Sequence, residues 1–356
     1  MATSSQRKQT KRSGLQASRP PRGEASDHTP SPKRRKTLWR RTRRILLGFA
    51  LLIVCLSGTG LLYQSIASAH DASSYPAPGK LIDVGGYRLH LSCTGTGRPG
   101  SPTVILDAAF GDTSLAWSKI QPGVASFTRV CSYDRAGYGW SDTGPLPRTS
   151  ERIVAELHTL LTRAGVPGPY VLVGHSYGGL FVQMYAYTYP HEVAGLVLVD
   201  SVHEDQVRYP ELPITDAGLL PICQALAPFG LGRLFGIYNG VVAEYPPAVQ
   251  PAAKALFNQT RHCQAASDEY AAWDESSAQV RAARHPLGHL PLGVLTHGIS
   301  PLGPQGERDW QALQRDLVDL SSDSVHIIAT RSGHYIQLEQ PELVIAAIHQ
   351  VLTGKV

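Results

Sequence analysis

Tyr170-Val171-Leu172-Val173-Gly174-His175-Ser176-Tyr177-Gly178-Gly179 is the stretch whose reading decides the fold. Its first four residues form an apolar run suited to a strand covered on both faces. The apolar residues after Gly179 suit a buried helix. Between them the chain must reverse within a few residues. A G-x-S-x-G turn between strand and helix leaves its serine hydroxyl exposed at the apex. Gly174 and Gly178 let strand and helix approach closely around Ser176. The helix N-terminus adds a field that favours negative charge developing there. A glycine-rich turn without chemistry is the competing reading, and the strand before and helix after weigh against it.

Working outward, strands are expected at Tyr87–Cys93, Thr103–Asp107, Arg129–Tyr133, Tyr170–Val173, Gly195–Val199, Leu292–Thr296 and Val325–Ala329. Helices are expected at Ser150–Ala164, Tyr177–Tyr187 and Pro341–Leu352. Strands alternating with helices predict an α/β fold with a mostly parallel central sheet flanked by helices. Residues 203–290 break that rhythm, being rich in Pro, Ala and aromatics without a convincing strand. They read as an inserted helical cap within one domain spanning 80–353.

Other blocks extend the pattern. Val104-Ile105-Leu106-Asp107-Ala108-Ala109-Phe110-Gly111 reads as a strand and loop, and Tyr133-Asp134-Arg135-Ala136-Gly137-Tyr138-Gly139-Trp140-Ser141-Asp142 fits Y-D-x-x-G-x-G-x-S. Ser332-Gly333-His334-Tyr335, followed by Gln340-Pro341, reads as a histidine loop before a final helix. Together with the serine turn these resemble the α/β-hydrolase superfamily over nearly all of residues 80–353. The resemblance implies the chain order serine, acid, histidine. A serine hydroxyl needs a base to take its proton as it attacks. His334 stands where the family's base stands, whereas His175, beside Ser176 on a sharp turn, reads as structural support. His203 is a further candidate for the pocket wall, against a plain cap contact.

The acid is less direct. In most family members it follows the penultimate strand, but His297 to Gly306 contains no carboxylate. Glu307 and Asp309 come next and read as first-turn partners of a helix dipole. Asp200, ending the strand Leu196-Val197-Leu198-Val199, is therefore the expected orienting group for His334, with Glu307 or Asp309 as the alternative. The resemblance places the oxyanion donors at the backbone N–H groups of Tyr177 and Phe110, although Ala108-Ala109 departs from the family's usual H-G. Ser176, where dehalogenases and epoxide hydrolases of this fold carry Asp, argues against both chemistries.

The expected function is a serine hydrolase cleaving carboxylic esters or related acyl compounds, a carboxylesterase or lipase-like enzyme acting on a small-molecule acyl substrate. The alternative is a catalytically dead hydrolase-fold binding protein tethered to the membrane. No metal site and no cofactor are expected. Cap aromatics Tyr209, Phe229, Phe235, Tyr238, Tyr245, Phe257, Tyr270 and Trp273 are candidates for an apolar acyl pocket, with half or more serving as cap core.

Charge distribution supplies the address. The formal net charge of +5 averages two unlike parts. Residues 1–44 hold 14 Lys and Arg against 2 acids, and residues 45–356 hold 19 against 26. Residues 1–44 are expected to be a disordered basic cytoplasmic tail. Ile45–Ala69 runs 25 residues without a charge, and a hydrocarbon core needs roughly 20 helical residues. Residues 45–65 therefore read as a transmembrane helix or uncleaved signal anchor, and 66–79 as a linker. Basic residues before the span place that side in the cytoplasm and the hydrolase domain outside. Ala67-Ser68-Ala69 leaves secretion after cleavage near Ala69 open, and Thr42-Arg43-Arg44 resembles a twin-arginine signal. A basic run abutting such a span argues against a nucleic-acid partner. Oligomeric state is not encoded in any pattern of this kind.

Cys55 lies in the span, leaving four cysteines in the body, an even number that permits two disulfides. Of the three pairings we expect Cys93–Cys131 and Cys223–Cys263. The resemblance implies the first, because the family's strand arrangement sets those two strands side by side. Four buried thiols are the alternative.

Overall fold

The computed structural model describes residues 32–98, 100–212 and 218–354. The disorder expected of residues 1–31 lies outside these. The chain divides into two compact units between Cys55 and Leu56. Helix α1 occupies Pro32–Ser74, 43 residues, and is long and apolar enough by length and composition to cross a membrane. This corrects two expectations: residues 32–44 are helical, and the linker begins only after Ser74. Proline suits a first helical turn, and once the apolar segment has nucleated, Lys, Arg, Leu and Ala extend the helix at little cost.

In the second unit the strands are β1 (Lys80–Asp83), β2 (Arg88–Thr94), β3 (Thr103–Asp107), β4 (Val130–Tyr133), β5 (Tyr170–His175), β6 (Val193–Val199), β7 (Leu292–His297) and β8 (Ser324–Ala329). They form one sheet in the order β1-β2-β4-β3-β5-β6-β7-β8. β1 and β2 are antiparallel to their neighbours, and β4 to β8 pair in parallel. The expected strands are present, with ends shifted by one or two residues. β1 was not expected: its four residues lie at the sheet edge, largely exposed and without alternation.

The helices that follow are α2 (Gln121–Ala125), α3 (Ser150–Ala164), α4 (Tyr177–Thr188), α5 (Leu219–Leu226), α6 (Leu231–Phe235), α7 (Asn239–Ala243), α8 (Gln250–Phe257), α9 (Thr260–Ala271), α10 (Trp273–Ala283), α11 (Pro304–Val318), α12 (Ile336–Glu339) and α13 (Pro341–Thr353). Side chains alternate across the sheet as a period of two requires. Ile105, Leu172, Leu196 and Leu198 face a core shared with Leu157 and Leu161 of α3 and Leu180 and Phe181 of α4. Val104, Leu106, Val171, Val173, Val197 and Val199 face the other core, shared with Val344, Ala347, Ile348 and Val351 of α13. Between β6 and β7 the described residues contain helices only, so the cap is inserted there.

Cys93 of β2 lies directly across from Cys131 of β4, and the two are joined with Cα atoms 4.0 Å apart. Cys223 of α5 is joined to Cys263 of α9. The first bond ties the antiparallel edge to the parallel sheet; the second ties two cap helices.

Candidate active site

The sheet register gathers the chemistry at one edge. His175 pairs with Val199, and Val199 with Leu295, so Ser176, Asp200 and His297 emerge from adjacent strand ends. Ser176 has φ 51° and ψ −119°, the strained backbone expected of a serine on a sharp strand-to-helix turn. The close approach is real: a Cβ on Gly178 would lie 2.5 Å from the carbonyl oxygens of Asp107 and Ala108, and one on Gly174 2.5 Å from the Cα of Gly179. Asp200 is also strained, at φ 44°. Its backbone N–H donates to Leu295 at 2.7 Å, and that of Ser176 to Val199 at 3.0 Å.

Asp200 is fully buried and accepts from several donors. His334 Nδ1 lies 2.6 Å from Oδ2, and His297 Nδ1 lies 2.8 Å from the same oxygen. Trp310 Nε1 and the His297 backbone N–H both donate to Oδ1 at 3.1 Å. Burial alone would raise this carboxyl, but the hydrogen bonds and charges of the two histidines outweigh it and hold the pKa far below the usual range. An ionised carboxylate only accepts, so His334 Nδ1 carries a proton and Nε2 is left for other work. Glu307 touches His297 rather than His334, at 3.1 Å from Nε2. Asp309 accepts from Gln305 on the exposed side of α11.

His175 is buried and supports the loop that carries His334. Gln337 donates to its Nδ1 at 3.0 Å, which fixes the proton on Nε2, and Nε2 donates to the His334 carbonyl at 2.9 Å. Burial, with the neighbouring His334, lowers its pKa to about 3, so it stays neutral.

His297 escaped sequence reasoning, which saw only a loop without carboxylates. Both of its ring nitrogens face carboxylates, so both are protonated. Burial opposes that charge, yet the Asp200 hydrogen bond and charge, backed by Glu307, raise its pKa from 6.5 to about 8. A raised histidine stabilises the fold fully below pH 6.5 and loses that contribution as pH rises through about 8. The shift corresponds to about 2 kcal/mol. Urea melts of the detergent-solubilised protein are expected to lose roughly that much between pH 6 and 9, and His297→Gln to flatten the loss.

Arg135 was also missed, although it lies in a quoted motif. Its guanidinium donates to Asp107 Oδ1 and the Ala108 carbonyl at 2.7 Å, to the Ala109 carbonyl at 2.9 Å, and to Glu269 of α9 at 2.7 Å. It therefore fixes the Ala108-Ala109 loop that leads to Phe110. Phe110 packs edge-on against Tyr177, ring centroids 6.0 Å apart. Asp134 of the same motif accepts the Ser114 backbone N–H at 2.6 Å and pairs with His90 at 2.8 Å.

Ser176, Asp200 and His334 line one cavity of about 220 Å³, whose other walls are Val202, Gln206, Leu212, His297, Pro301, Leu302 and Trp310. None of the eight cap aromatics is among them, which corrects that expectation. Tyr238, Tyr245 and Phe257 pack with Ala108 and Ala116, Trp273 packs on Tyr177, and Phe235 is exposed. His203 is not in the cavity wall either; it is buried against Asp316, 2.7 Å from Nε2, in a cluster with Arg284 and Glu204. Among the described residues no group of His, Cys, Asp and Glu is arranged to hold a metal ion.

A strained serine at the end of the central strand, a histidine loop after the last strand and a helical insertion after β6 define a class: the chain has the alpha/beta hydrolase fold. The family pattern described as the alpha/beta hydrolase fold matches residues 102–233. The chain is 27% identical over 256 residues to the Bacillus subtilis protein YqjL, covering 71% of this chain and 85% of that one. It is 26% identical over 301 residues to an AB hydrolase superfamily protein of Gibberella zeae, covering 74% and 91%. Among solved structures, the enol-lactonase of Burkholderia xenovorans LB400 shares the fold at TM-score 0.56 and 20% identity, over 77% of this chain and all of that one.

Proposed function

We propose that this protein is a serine hydrolase that cleaves carboxylic esters or closely related acyl compounds through Ser176, His334 and Asp200. The observation that carries the reading is the meeting of a strained Ser176 with an Asp200-bound His334 in one cavity. Asp200 holds the proton on Nδ1 of His334, so Nε2 accepts the Ser176 proton as Oγ attacks the acyl carbon. The backbone N–H groups of Tyr177 and Phe110 stabilise the oxyanion. His334 then protonates the leaving alcohol and later activates the water that releases the acid. The modest cavity, walled by Val202, Leu212, Leu302 and Trp310, favours a small apolar acyl group. The solved enol-lactonase shares this architecture, so a lactone is a substrate of the right class.

We further propose that α1 stays attached as an anchor, with its basic end cytoplasmic and the hydrolase domain outside. Two disulfides in the body fit an oxidising compartment. An intact mass on membrane-extracted protein tests the anchor: loss of residues up to Ala69 would contradict it.

A fluorophosphonate probe tests the chemistry. Full-length protein in detergent is expected to label, with labelling lost in Ser176→Ala. An unlabelled wild type would favour the dead-fold alternative. Among p-nitrophenyl esters of graded chain length, short acyl groups are expected to turn over fastest.

A further inference from the structure

The cap face formed by α5, α6 and α7 is apolar where a water-facing surface should be polar. Leu219, Ile222, Leu234, Phe235 and Ile237 are each more than half exposed, Phe235 at 74%. From Gly218 to Ala243 the sequence holds one charged residue, Arg233. That charge turns inward, pairing with Asp71 of α1 at 2.7 Å. Five large apolar side chains exposed within 19 residues mark an interaction site rather than ordinary scatter.

The adjoining stretch of α1 says what covers it. Gly60 admits the cap closely: a Cβ there would lie 2.9 Å from the Phe229 carbonyl oxygen. Buried Gln64 donates through Nε2 to the Asn258 carbonyl at 2.7 Å. Leu56, Tyr63, Phe229, Leu231 and Leu234 line an open apolar groove of about 550 Å³. Residues 56–63 lie at and beyond the middle of the uncharged run Ile45–Ala69, and roughly 20 residues fill the hydrocarbon core. Cap residues packed on them sit at the same depth. Gln64 is hydrogen-bonded within the protein, and Arg233 pairs with Asp71 just past the uncharged run, as polar groups beside lipid demand.

We propose that the α5–α7 face of the cap is embedded in the outer half of the bilayer that α1 crosses, its apolar side chains meeting lipid acyl chains. The hydrolase domain is then held to the membrane by two elements. This rests on reading α1 as a membrane anchor.

The test is spin labelling of the full chain in phosphatidylcholine nanodiscs. A Cys55→Ser background keeps the native span cysteine from taking label. Phe49→Cys reports the span, Phe235→Cys the cap face, and Leu146→Cys an exposed apolar residue remote from the cap in sequence. Phe235→Cys is expected to match Phe49→Cys, accessible to oxygen and shielded from a water-soluble nickel chelate, with Leu146→Cys reversed. A cap label open to nickel while Phe49→Cys stays shielded overturns the embedding and spares the anchor. A nickel-accessible Phe49→Cys removes the anchor and the embedding together. A cap label shielded from both reagents means a second copy covers the face, and overturns the lipid assignment.

Discussion

Asp200→Asn should lower kcat/KM on an ester substrate by on the order of 10⁴-fold with little change in fold. Asn tolerates the φ of 44° at this position better than most non-glycine residues, so the backbone survives the change. What fails is polarity. The carboxylate accepts hydrogen bonds from His334, His297 and Trp310, and an amide presents one oxygen and one NH₂ to the same donors. With the NH₂ toward His334, its Nδ1 must give up its proton, and Nε2 becomes a donor unable to take the Ser176 proton. Glu307→Gln combined with Asp309→Asn should cost far less, because neither carboxylate touches His334. Parallel kinetics on the two variants decide the acid, and a larger loss in the double variant would overturn the assignment.

Arg135→Met should be the most damaging substitution for stability. It leaves Asp107 and Glu269 buried without their cation, a loss of about 3–5 kcal/mol and a fall in melting temperature on the order of 10 °C. Burial already raises the Asp107 pKa to about 6 against the pull of Arg135. Without that cation the carboxyl rises further and protonates more readily, so the deficit should shrink as pH falls toward about 6 and level off below it. Melts across pH check this, and adding Glu269→Gln should recover part of the loss. An Arg135→Met protein as stable as wild type would show that the cluster contributes little. Activity should fall as well, since the same guanidinium holds the Ala108 and Ala109 carbonyls.

The parts of the proposed site carried by local pattern were legible in the sequence. Ser176 announces itself through glycines set by backbone contact, and His334 and Asp200 through their positions after strands. Helix Ser150–Ala164 was readable to the residue, because apolar spacing and a terminal Gly165 bound it. What local pattern omits is contact across long separations. His297 reaches Asp200 over 97 positions, and Arg135 reaches Glu269 over 134. Neither residue type nor spacing reveals such pairs. The cavity wall was misread for a related reason: large cap aromatics look suited to a pocket, yet three of them fill the core beside the Ala108 loop, and Leu212 and Trp310 take the wall. The helix past residue 65 was hidden because Gln64 and Ser65 look like an exit from lipid until their partners are known.

The His175 imidazole has a consequence beyond support. It is the immediate chain neighbour of Ser176 and also the hydrogen-bond donor to the backbone of His334. The turn that carries Ser176 and the loop that carries His334 are thus tied through one buried ring, and not only through the strands that separate them in the sheet. Because that ring is neutral and its tautomer is fixed by Gln337, the tie itself does not titrate in the range where the proposed base would work.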